Sequence, residues 1–267
     1  SPAIVLLLIF TVWPIFNTLR MAFLEGYTTM GEVNGLTYNF GLGNFKRVLE
    51  YSGFITCLKN TMLLTVLTVP ISTFLALLIA VCLNSIKALS RALQTIFFLP
   101  YVTNSIAIGM VFAAMFNIVG VNTTDLHLSK SLGIINWFLG VFGCEPINWI
   151  NQGSGYWANI AVLIIYIVWN ALPFKILILL GGLQSVNKQY YEAAKIDATP
   201  RWRVFTRITV PLLSPMITYV VITGFIGGFK EYSSIVGVFG EKMGPVDHEM
   251  GTIVGYIYMS LSEQEGR

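Results

Sequence analysis

Residues 157–183 read WANIAVLIIYIVWNALPFKILILLGGL, and this stretch decides the fold class. A helix needs about 20 mostly apolar residues to cross the hydrocarbon core of a bilayer, and this one carries a single charged residue, Lys175. Four further stretches qualify in the same way, namely 3–24, 58–83, 93–117 and 211–229. The sequence therefore predicts an all-α, polytopic transmembrane helical bundle with five spans.

The composition agrees with a membrane protein. Of the 267 residues, 55% are hydrophobic and only 11% are charged, which lies outside the usual range of a soluble domain. The net charge of +3 is small and scattered, so it gives no argument for a nucleic-acid partner. Cys57, Cys82 and Cys144 have neither CxxC nor Cys/His spacing, so they predict neither a disulfide framework nor a zinc site.

The positions of Lys and Arg predict the orientation of the chain. Cytoplasmic loops retain positive charge, and the connectors 84–92 and 184–210 collect it, with Lys87 and Arg91 in the shorter one. The connectors 25–57, 118–156 and 230–262 are then extracytoplasmic and the N-terminus is cytoplasmic. The first apolar segment has no charged stretch before it and no cleavage site after it, so a span is favoured over a signal sequence.

The odd number of spans suggests a further one. The sequence ends in polar residues without a closing helix, and we expect a sixth, C-terminal span beyond them. The alternative is a genuine five-span protein.

The connector 184–210, called the elbow below, is not an ordinary loop. Asn187 is suited to cap a helix over 188–196, in which Tyr191, Ala194 and Lys195 share one face. Asp197-Ala198 breaks this helix. Thr199 as a cap and Pro200 at the first helical position then predict a second helix to about residue 209.

Two partners suit such a pair of short helices. Small residues allow close backbone approach and charges fix register, so the elbow could lie in a groove of another protein. Equally, an amphipathic helix could lie on the lipid headgroups with its cations facing anionic lipid.

The elbow carries a family resemblance. Glu192-Ala193-Ala194, Ile196-Asp197, Trp202, Phe205, Ile208, Pro211 and Leu212 resemble the EAA signature of ATP-binding-cassette (ABC) importer permeases, EAAxIDGAxxWxxFxxIxxPxL. The resemblance implies that the elbow is the coupling helix that docks into a cytoplasmic ATPase dimer, with Glu192 as the main polar contact. The implied coupling residues are Tyr191, Glu192, Ala193, Ala194, Asp197, Ala198, Arg203 and Phe205.

One departure from the family pattern concerns the bend. The family has Gly where this chain has Ala198, followed by Ala where this chain has Thr199. If the bend requires a positive φ, Ala198 carries a strain of roughly 1 kcal/mol that Gly would avoid.

Other motifs point to the carbohydrate, maltose-permease-like subfamily, whose permeases follow the type I importer fold. They occur in the expected order: Trp13-Pro14, Gly41-Leu42-Gly43-Asn44-Phe45, Asn60-Thr61, Phe98-Leu99-Pro100, Phe229-Lys230-Glu231-Tyr232, Gly244-Pro245 and Tyr256-Ile257-Tyr258. The resemblance implies a second homologous permease subunit, an extracytoplasmic solute-binding protein and a sugar or oligosaccharide substrate. It also supports the expected sixth span.

Groups that recognise sugars occur inside two predicted spans. Aromatic faces stack on sugar rings and amides or hydroxyls bond to sugar hydroxyls. The fourth span offers Tyr166, Trp169 and Asn170, which share a helical face with Pro173, and the third offers Tyr101 and Asn104 just after Pro100. Alternatively, these side chains sit at membrane interfaces or bond neighbouring helices.

Three charged residues are further candidates for the substrate path. Lys175 lies inside its span, where a cation is usually paired or functional, although its side chain could snorkel to the headgroups. Lys230 and Glu231 follow the fifth span and could bond a saccharide, contact the partner subunit or be solvated.

Several functional classes lack their signatures. There is no GxxxxGK[ST] loop, so ATP and Mg²⁺ are expected on the partner ATPase and no cofactor on this chain. His127 and His248 stand alone, and no HExxH motif or nucleophile–base set is present, so we expect a transport subunit and not an enzyme.

The predicted mechanism is alternating access in a bacterial-type inner membrane. The alternatives are an ABC permease for a non-sugar solute and an ion-coupled secondary transporter, which would need midmembrane acids or histidines that the spans almost lack.

Overall fold

The computed structural model of the chain describes residues 2–28, 32, 35–86, 95–96, 99–119, 131–151, 153–240 and 250–265. These residues are predominantly helical, with one short antiparallel pair, β1 (Ile118–Val119) and β2 (Ser131–Leu132). The helices are α1 (Pro2–Ala22), α2 (Gly43–Glu50), α3 (Ser52–Ser85), α4 (Ser105–Phe116), α5 (Ile134–Val141), α6 (Tyr156–Ser185), α7 (Lys188–Ile196), α8 (Arg201–Leu212), α9 (Ser214–Phe229), α10 (Ser233–Phe239) and α11 (Ile253–Glu265). The predicted helical fold class is confirmed.

Three of the described helices, α1, α3 and α6, are each long and apolar enough to cross a membrane. They coincide with the predicted spans 3–24, 58–83 and 157–183. The helices α8 and α9 pass the same test only as a pair, with a bend of 68° between them. Pro211 and Pro215 flank this bend, and neither has the backbone N–H that would continue a straight helix. The predicted fifth span therefore begins with a bend that periodicity did not indicate.

The predicted third span, 93–117, is wrong as one continuous helix. Residues 99–102 are helical, the chain leaves the helix at Thr103 and Asn104, and α4 starts at Ser105. The Asn104 side chain accepts a hydrogen bond from the backbone N–H of Ile106 at 2.9 Å, which starts a new helix. The 12 residues of α4 are fewer than the roughly 20 that a full span needs. Residues 93–94 and 97–98 lie outside the described chain.

The predicted extracytoplasmic segment 230–262 contains two helices, α10 and α11. Tyr256, Ile257 and Tyr258 belong to α11, while Gly244 and Pro245 lie outside the described residues. The cations Lys87 and Arg91, which carried part of the orientation argument, also lie outside them, as do His127 and His248. The side of the membrane on which each connector lies stays a prediction.

The chain divides into two compact units, residues 1–55 and 56–267. In the first, the end of α1 is held by Asn44, whose side-chain amide donates to the carbonyls of Ala22 and Leu24 at 3.2 and 2.8 Å. Those carbonyls follow the last helical turn and would otherwise lack partners. The Gly41–Phe45 stretch that resembles the permease family thus ends a helix.

In the second unit, α3 and α6 are joined through two apolar clusters. One cluster contains Leu64 of α3 with Ile160, Leu163 and Tyr166 of α6. The other contains Ala76, Leu77, Ala80 and Leu83 of α3 with Ile176, Leu179, Leu180 and Leu183 of α6. Between the clusters, near the midpoints of both helices, the facing side chains include the polar residues Thr68, Ser72, Asn170 and Lys175. The fold therefore places a polar region at mid-height between two dry cores.

Candidate functional site

The elbow forms as two helices, and its first half follows the sequence prediction. The Asn187 side chain accepts a hydrogen bond from the backbone N–H of Gln189 at 3.0 Å, so Asn187 caps α7 as predicted. The second helix starts later than predicted. Pro200 is extended, with ψ of 144°, and α8 begins at Arg201, so Thr199 does not cap it.

The bend after α7 has a defined hydrogen-bond pattern. The backbone N–H of Thr199 donates to Ala194 O at 2.9 Å, and that of Ala198 donates to Lys195 O at 3.1 Å. This pair of bonds is the Schellman motif, whose penultimate residue takes a left-handed conformation. That residue is Ala198, with φ of 47°. Among the described residues, Ala198 is the only non-glycine residue with a positive φ. The bend does require the conformation for which Gly is favoured.

The elbow presents most of its predicted coupling residues to its surroundings. Glu192, Ala193, Asp197, Ala198 and Arg203 are exposed. In the described part of the chain, the Glu192 side chain makes no hydrogen bond or ion pair. A partner could therefore contact these side chains without first breaking an internal bond.

Three other predicted coupling residues face the chain itself. Ala194, an implied coupling residue, is buried with 5% of its surface exposed, so its side chain is not presented to a partner. Tyr191 is half-buried, and its hydroxyl lies 3.4 Å from the Thr209 hydroxyl. Phe205 is half-buried with its ring 5.6 Å from that of Trp202. The packing of these three side chains stabilises the conformation of the elbow.

At mid-height of the second unit lies a cavity of about 270 Å³. Residues from α3, α6 and α9, together with Tyr101 and Glu231, line it. The rings of Tyr101 and Phe174 stack at 5.8 Å between centroids and 19° between planes, and both belong to the lining. Asn170 of α6 lines the cavity near the midpoint of that helix. The cavity thus combines an aromatic wall with an amide.

The structure brings together four of the eight predicted path residues: Tyr101, Asn170, Lys175 and Glu231. The face of α6 that lines the cavity is not the one proposed for the substrate path, because the lining residues are Ile167, Asn170, Ala171, Phe174 and Lys175. Tyr166 and Trp169 instead pack on Phe112 of α4, with ring centroids 5.1 and 5.2 Å away. The positions of α6 that line the cavity are shifted by one residue along the chain from the predicted positions.

The remaining path candidates do not line the cavity. The buried Tyr166 hydroxyl donates to Ser105 O at 2.5 Å and so ties α6 to α4. Asn104 caps α4, as described above. Lys230 is exposed at the C-terminal end of α9 and is not among the lining residues. Neither Asn104 nor Lys230 reaches the cavity.

Lys175 does not snorkel to a membrane surface. Only 4% of it is exposed, and its Nζ donates to Ser72 Oγ at 2.7 Å, Thr73 Oγ1 at 3.0 Å and Val69 O at 3.2 Å. No carboxylate of the described residues lies within ion-pair distance of it. Its ammonium is satisfied by hydrogen bonds to α3, and it fixes α6 against α3 beside the cavity.

A row of hydroxyl groups on α3 escaped the sequence analysis. Thr61, Thr65, Thr68 and Ser72 repeat at helical spacing, and each is at most 3% exposed. Thr68 and Ser72 line the cavity, and the Thr65 hydroxyl is buried without a hydrogen-bond partner among the described residues. Hydroxyl residues at a spacing of three and four in an otherwise apolar helix were the available signal.

Three glycines of α9 line the cavity for different reasons. A Cβ at Gly228 would lie 2.6 Å from Thr65 Oγ1, and one at Gly224 would lie 3.1 Å from a methyl carbon of Val69. These two glycines allow α9 to approach α3 closely. A Cβ at Gly227 would meet nothing within 4 Å, so this glycine leaves space in the cavity.

A largely apolar cavity with a few polar groups at mid-height of membrane-crossing helices, together with an exposed helical elbow after one of them, is typical of a membrane transport subunit. Residues 69–252 match the family described as "Binding-protein-dependent transport system inner membrane component". The chain belongs to this family. It is therefore a multi-pass inner-membrane transport permease, and its predicted resemblance to ABC-importer permeases is confirmed.

Relatives and solved structures agree with this membership. The chain is 33% identical to the lactose transport system permease protein LacF of Rhizobium radiobacter, over 97% of this chain and 80% of that protein. It is 32% identical to the arabinooligosaccharides transport system permease protein AraP of Halalkalibacterium halodurans, over 99% and 77%. A crystal structure of a bacterial ABC transporter involved in the import of the acidic polysaccharide alginate superposes with a TM-score of 0.73 at 26% identity, over 100% of this chain and 83% of that one.

Proposed function

We propose that the chain is one of two membrane-spanning subunits of an ABC importer for a sugar or oligosaccharide. The observation that carries this proposal is the cavity at mid-height, with the Tyr101–Phe174 wall, the Asn170 amide and the hydroxyls of Thr68 and Ser72. Stacking faces and neutral hydrogen-bonding groups suit a saccharide. The names of the relatives support the same substrate class, since they refer to lactose and arabinooligosaccharides.

The elbow is the site at which an ATPase dimer docks in this proposal. The exposed Glu192, Ala193 and Arg203 provide the contact, and ATP with Mg²⁺ binds to the ATPase. The exposed cations Lys188, Lys195, Arg201, Arg203 and Arg207 agree with a cytoplasmic elbow and hence a cytoplasmic N-terminus. An elbow on the headgroups would leave Glu192 facing lipid phosphates of the same charge.

Transport in this proposal proceeds by alternating access. A second homologous permease completes the path, and an extracytoplasmic solute-binding protein delivers the substrate. A solved alginate transporter of the same fold is bound to such a periplasmic protein. ATP favours one conformation only if the elbow is held differently in the two states. The bend of 68° between α8 and α9 connects the elbow directly to the cavity-lining helix α9.

The coupling role is tested by co-expressing the chain with its genomic neighbours and measuring co-purification and ATP-dependent uptake in proteoliposomes. Glu192→Ala should release the ATPase and abolish uptake, while insertion and the unfolding temperature stay unchanged. Gln189→Ala is the matched control, because Gln189 is exposed on the same helix and carries no charge. Normal ATPase retention and uptake with Glu192→Ala would contradict the docking site.

The cavity is tested separately through Gly227→Leu. The new side chain enters the open space of the cavity, so uptake of disaccharides and larger sugars should fall at least tenfold while the ATPase still co-purifies. Gly181→Leu is the control, because Gly181 is also open within 4 Å but does not line the cavity. Equal uptake by both variants would place the sugar path elsewhere.

A further inference from the structure

The short helix α5 carries an apolar stripe that the described chain leaves uncovered. Its members are Ile134, Trp137, Phe138, Val141 and Phe142, each between 55% and 68% exposed. Their spacing of three and four places them on one face of the helix. No residue from 131 to 144 is charged. With 8 residues, α5 cannot cross a bilayer.

The opposite face of α5 is locked to the rest of the second unit. Asn136 is 1% exposed, and its amide donates to Ile147 O at 2.9 Å. Its side-chain oxygen accepts from the backbone N–H of Ile147 at 3.1 Å and from Trp149 Nε1 at 3.0 Å. The apolar stripe therefore cannot roll inward without breaking the three hydrogen bonds of the buried Asn136 side chain.

The position of α5 is fixed at the ends of the apolar helices. The residue before it, Gly133, donates to Asn117 O at 2.9 Å, immediately beyond the last residue of α4. A Cβ at Gly133 would lie 2.4 Å from Met115 O, so the two backbones are in contact. Trp149, the partner of Asn136, packs edge-on against Phe116 at 5.6 Å. Thus α5 lies at the level where α4 ends.

That level is also the end of a membrane-crossing helix. The amide of Asn151 bonds the side chain of Asn117, and the membrane-crossing helix α6 begins five residues later at Tyr156. Trp157 in the first turn of α6 is 67% exposed. Aromatic residues concentrate where the hydrocarbon core meets the headgroups. The exposed Trp157 is such an aromatic position, and it follows closely in the chain on the segment that is bonded to the end of α4.

We propose that α5 is an interfacial anchor whose stripe inserts between the headgroups and acyl chains of a phospholipid leaflet. A lipid surface fits better than a protein that associates and leaves, because a transient partner would expose a contiguous apolar face to water between encounters. The absence of charge indicates that apolar burial drives the insertion and that zwitterionic lipid suffices. Because Asn136 and Gly133 connect α5 to the end of α4, the anchor fixes the depth of that end in the membrane. The anchor does not depend on the identity of the transported solute.

Photo-crosslinking identifies the occupant of the stripe. p-Benzoylphenylalanine is placed at position 138 in the full chain, with any co-purifying proteins, in phosphatidylcholine nanodiscs. Mass spectrometry should show an adduct with the mass of one phospholipid. The same label at position 145 is the control, because Glu145 is exposed in the same connector but outside the stripe, and it should give less than a third of that adduct. A protein adduct at position 138, or equal lipid adducts at both positions, would overturn the proposal.

A fluorescence measurement decides the question independently of crosslinking yield. The difference in emission between the wild-type protein and Trp137→Phe isolates Trp137 from the other tryptophans. Brominated phosphatidylcholine should quench this difference by more than half. Absence of quenching would overturn the proposal even if the nanodisc sample gave no adduct at either position.

Discussion

Two short helices outside the apolar spans, α5 and α7, end in the same way. In α5, Cys144 N donates to Leu139 O at 3.1 Å and Gly143 N donates to Gly140 O at 3.0 Å, which repeats the Schellman pattern of α7. The left-handed residue is Gly143 in α5, with φ of 77°, and Ala198 in α7, with φ of 47°. The hydrogen bonds therefore impose the bend, and the residue at that position determines only how strained it is.

The two helices differ in which kind of residue they bury and which they expose. Helix α5 buries a polar residue, Asn136, and exposes an apolar stripe. Helix α7 buries a small apolar residue, Ala194, and exposes Glu192 and Lys195. A polar residue inside an apolar helix is held by directed bonds, whereas Ala194 is held by packing alone. Substitutions that remove these anchors should have unequal effects.

The largest expected effect follows from Asn136→Ala. This change removes the three hydrogen bonds to Trp149 Nε1 and to the two backbone groups of Ile147. These partners are only partly buried, so each lost bond costs about 0.5–1.5 kcal/mol. We expect a total loss of about 3 kcal/mol in the free energy of unfolding. The measurement is the thermal unfolding midpoint in detergent, together with proteolysis of residues 131–151.

The matched control for this variant is Asn187→Ala on the elbow. Asn187 is exposed and contributes one capping bond, so its loss should cost only about 1 kcal/mol. Equal destabilisation by the two variants would show that the bonds of Asn136 to the 147–149 segment do not hold α5.

A smaller effect is expected from Gly143→Ala, which gives α5 the residue that α7 already has. A Cβ at Gly143 would meet nothing within 4 Å, so only the positive φ opposes it. The left-handed conformation costs a non-glycine residue about 1–2 kcal/mol, and the reduced freedom of the unfolded chain offsets about 0.5–1 kcal/mol of this cost. The unfolding midpoint should therefore fall by the equivalent of about 0.5 kcal/mol.

Gly140→Ala separates backbone strain from the general effect of adding a methyl group. Gly140 is in the same helix and is also open within 4 Å, but it is not a positive-φ residue. Ala is favoured over Gly inside a helix by about 1 kcal/mol, so this variant should be stabilised. A fall in the midpoint of both variants would assign the effect to crowding and not to φ.

The reverse change, Ala198→Gly, should stabilise the elbow slightly. It removes the left-handed strain of about 1–2 kcal/mol but increases the freedom of the unfolded chain by roughly 0.5–1 kcal/mol. The net gain is about 0.5 kcal/mol, to be measured as an increase in the unfolding midpoint with unchanged uptake.

Ala193→Gly provides the contrast for that variant. Ala193 is exposed inside α7 and has no positive φ, so Gly there should cost about 1 kcal/mol of stability. If both glycine variants were destabilised, the strain at Ala198 would be absent from the elbow in solution.

These positions also show how far the sequence could predict the structure. The Asn187 cap, the break at Asp197-Ala198 and the strain at Ala198 were predictable because they depend on residues within one turn of each other. The burial of Ala194 was not predictable. Helix α7 has nine residues with charges on several faces, so its rotation about its axis is determined by packing and not by its sequence pattern. The interruption at Asn104 was missed because residues 93–117 as a whole are apolar enough for a span, although Pro100 and the polar run Thr103-Asn104-Ser105 were visible signals of a break.

The cavity was only partly predictable for a similar reason. Sequence analysis found Tyr101, Asn170, Lys175 and Glu231 as unusual residues in or beside apolar segments. Which side of α6 faces the cavity depends on α3 and α9, and spacing along one helix cannot reveal it. The α3 hydroxyl row was visible at helical spacing, but threonine and serine are common enough in membrane helices to pass unnoticed.

The smallest effect concerns two glutamates, one used within the chain and one left for a partner. Glu32 accepts hydrogen bonds from the Tyr27 hydroxyl and from Arg20. The bond from Tyr27 first, and then that from Arg20, lowers the pKa of Glu32 from its ordinary value of 4.5. A lowered pKa stabilises the folded state fully above the ordinary value, and this contribution is lost as the pH falls through the lowered pKa. By contrast, Glu192 has no such bonds in the described chain.

Glu32→Gln should therefore lower the unfolding midpoint near neutral pH by a small amount, because Glu32 is exposed and its ion pair with Arg20 is screened by solvent. The difference from the wild-type protein should shrink below pH 4.5, where protonated Glu32 resembles glutamine. Glu50→Gln is the control, since its contact with Lys46 at 3.8 Å is exposed and contributes little. A gap between wild type and Glu32→Gln that stays constant down to the lowest pH would mean that Glu32 acts through shape and not through charge. In that case, the hydrogen bonds from Tyr27 and Arg20 to Glu32 would not mark a difference in role between Glu32 and Glu192.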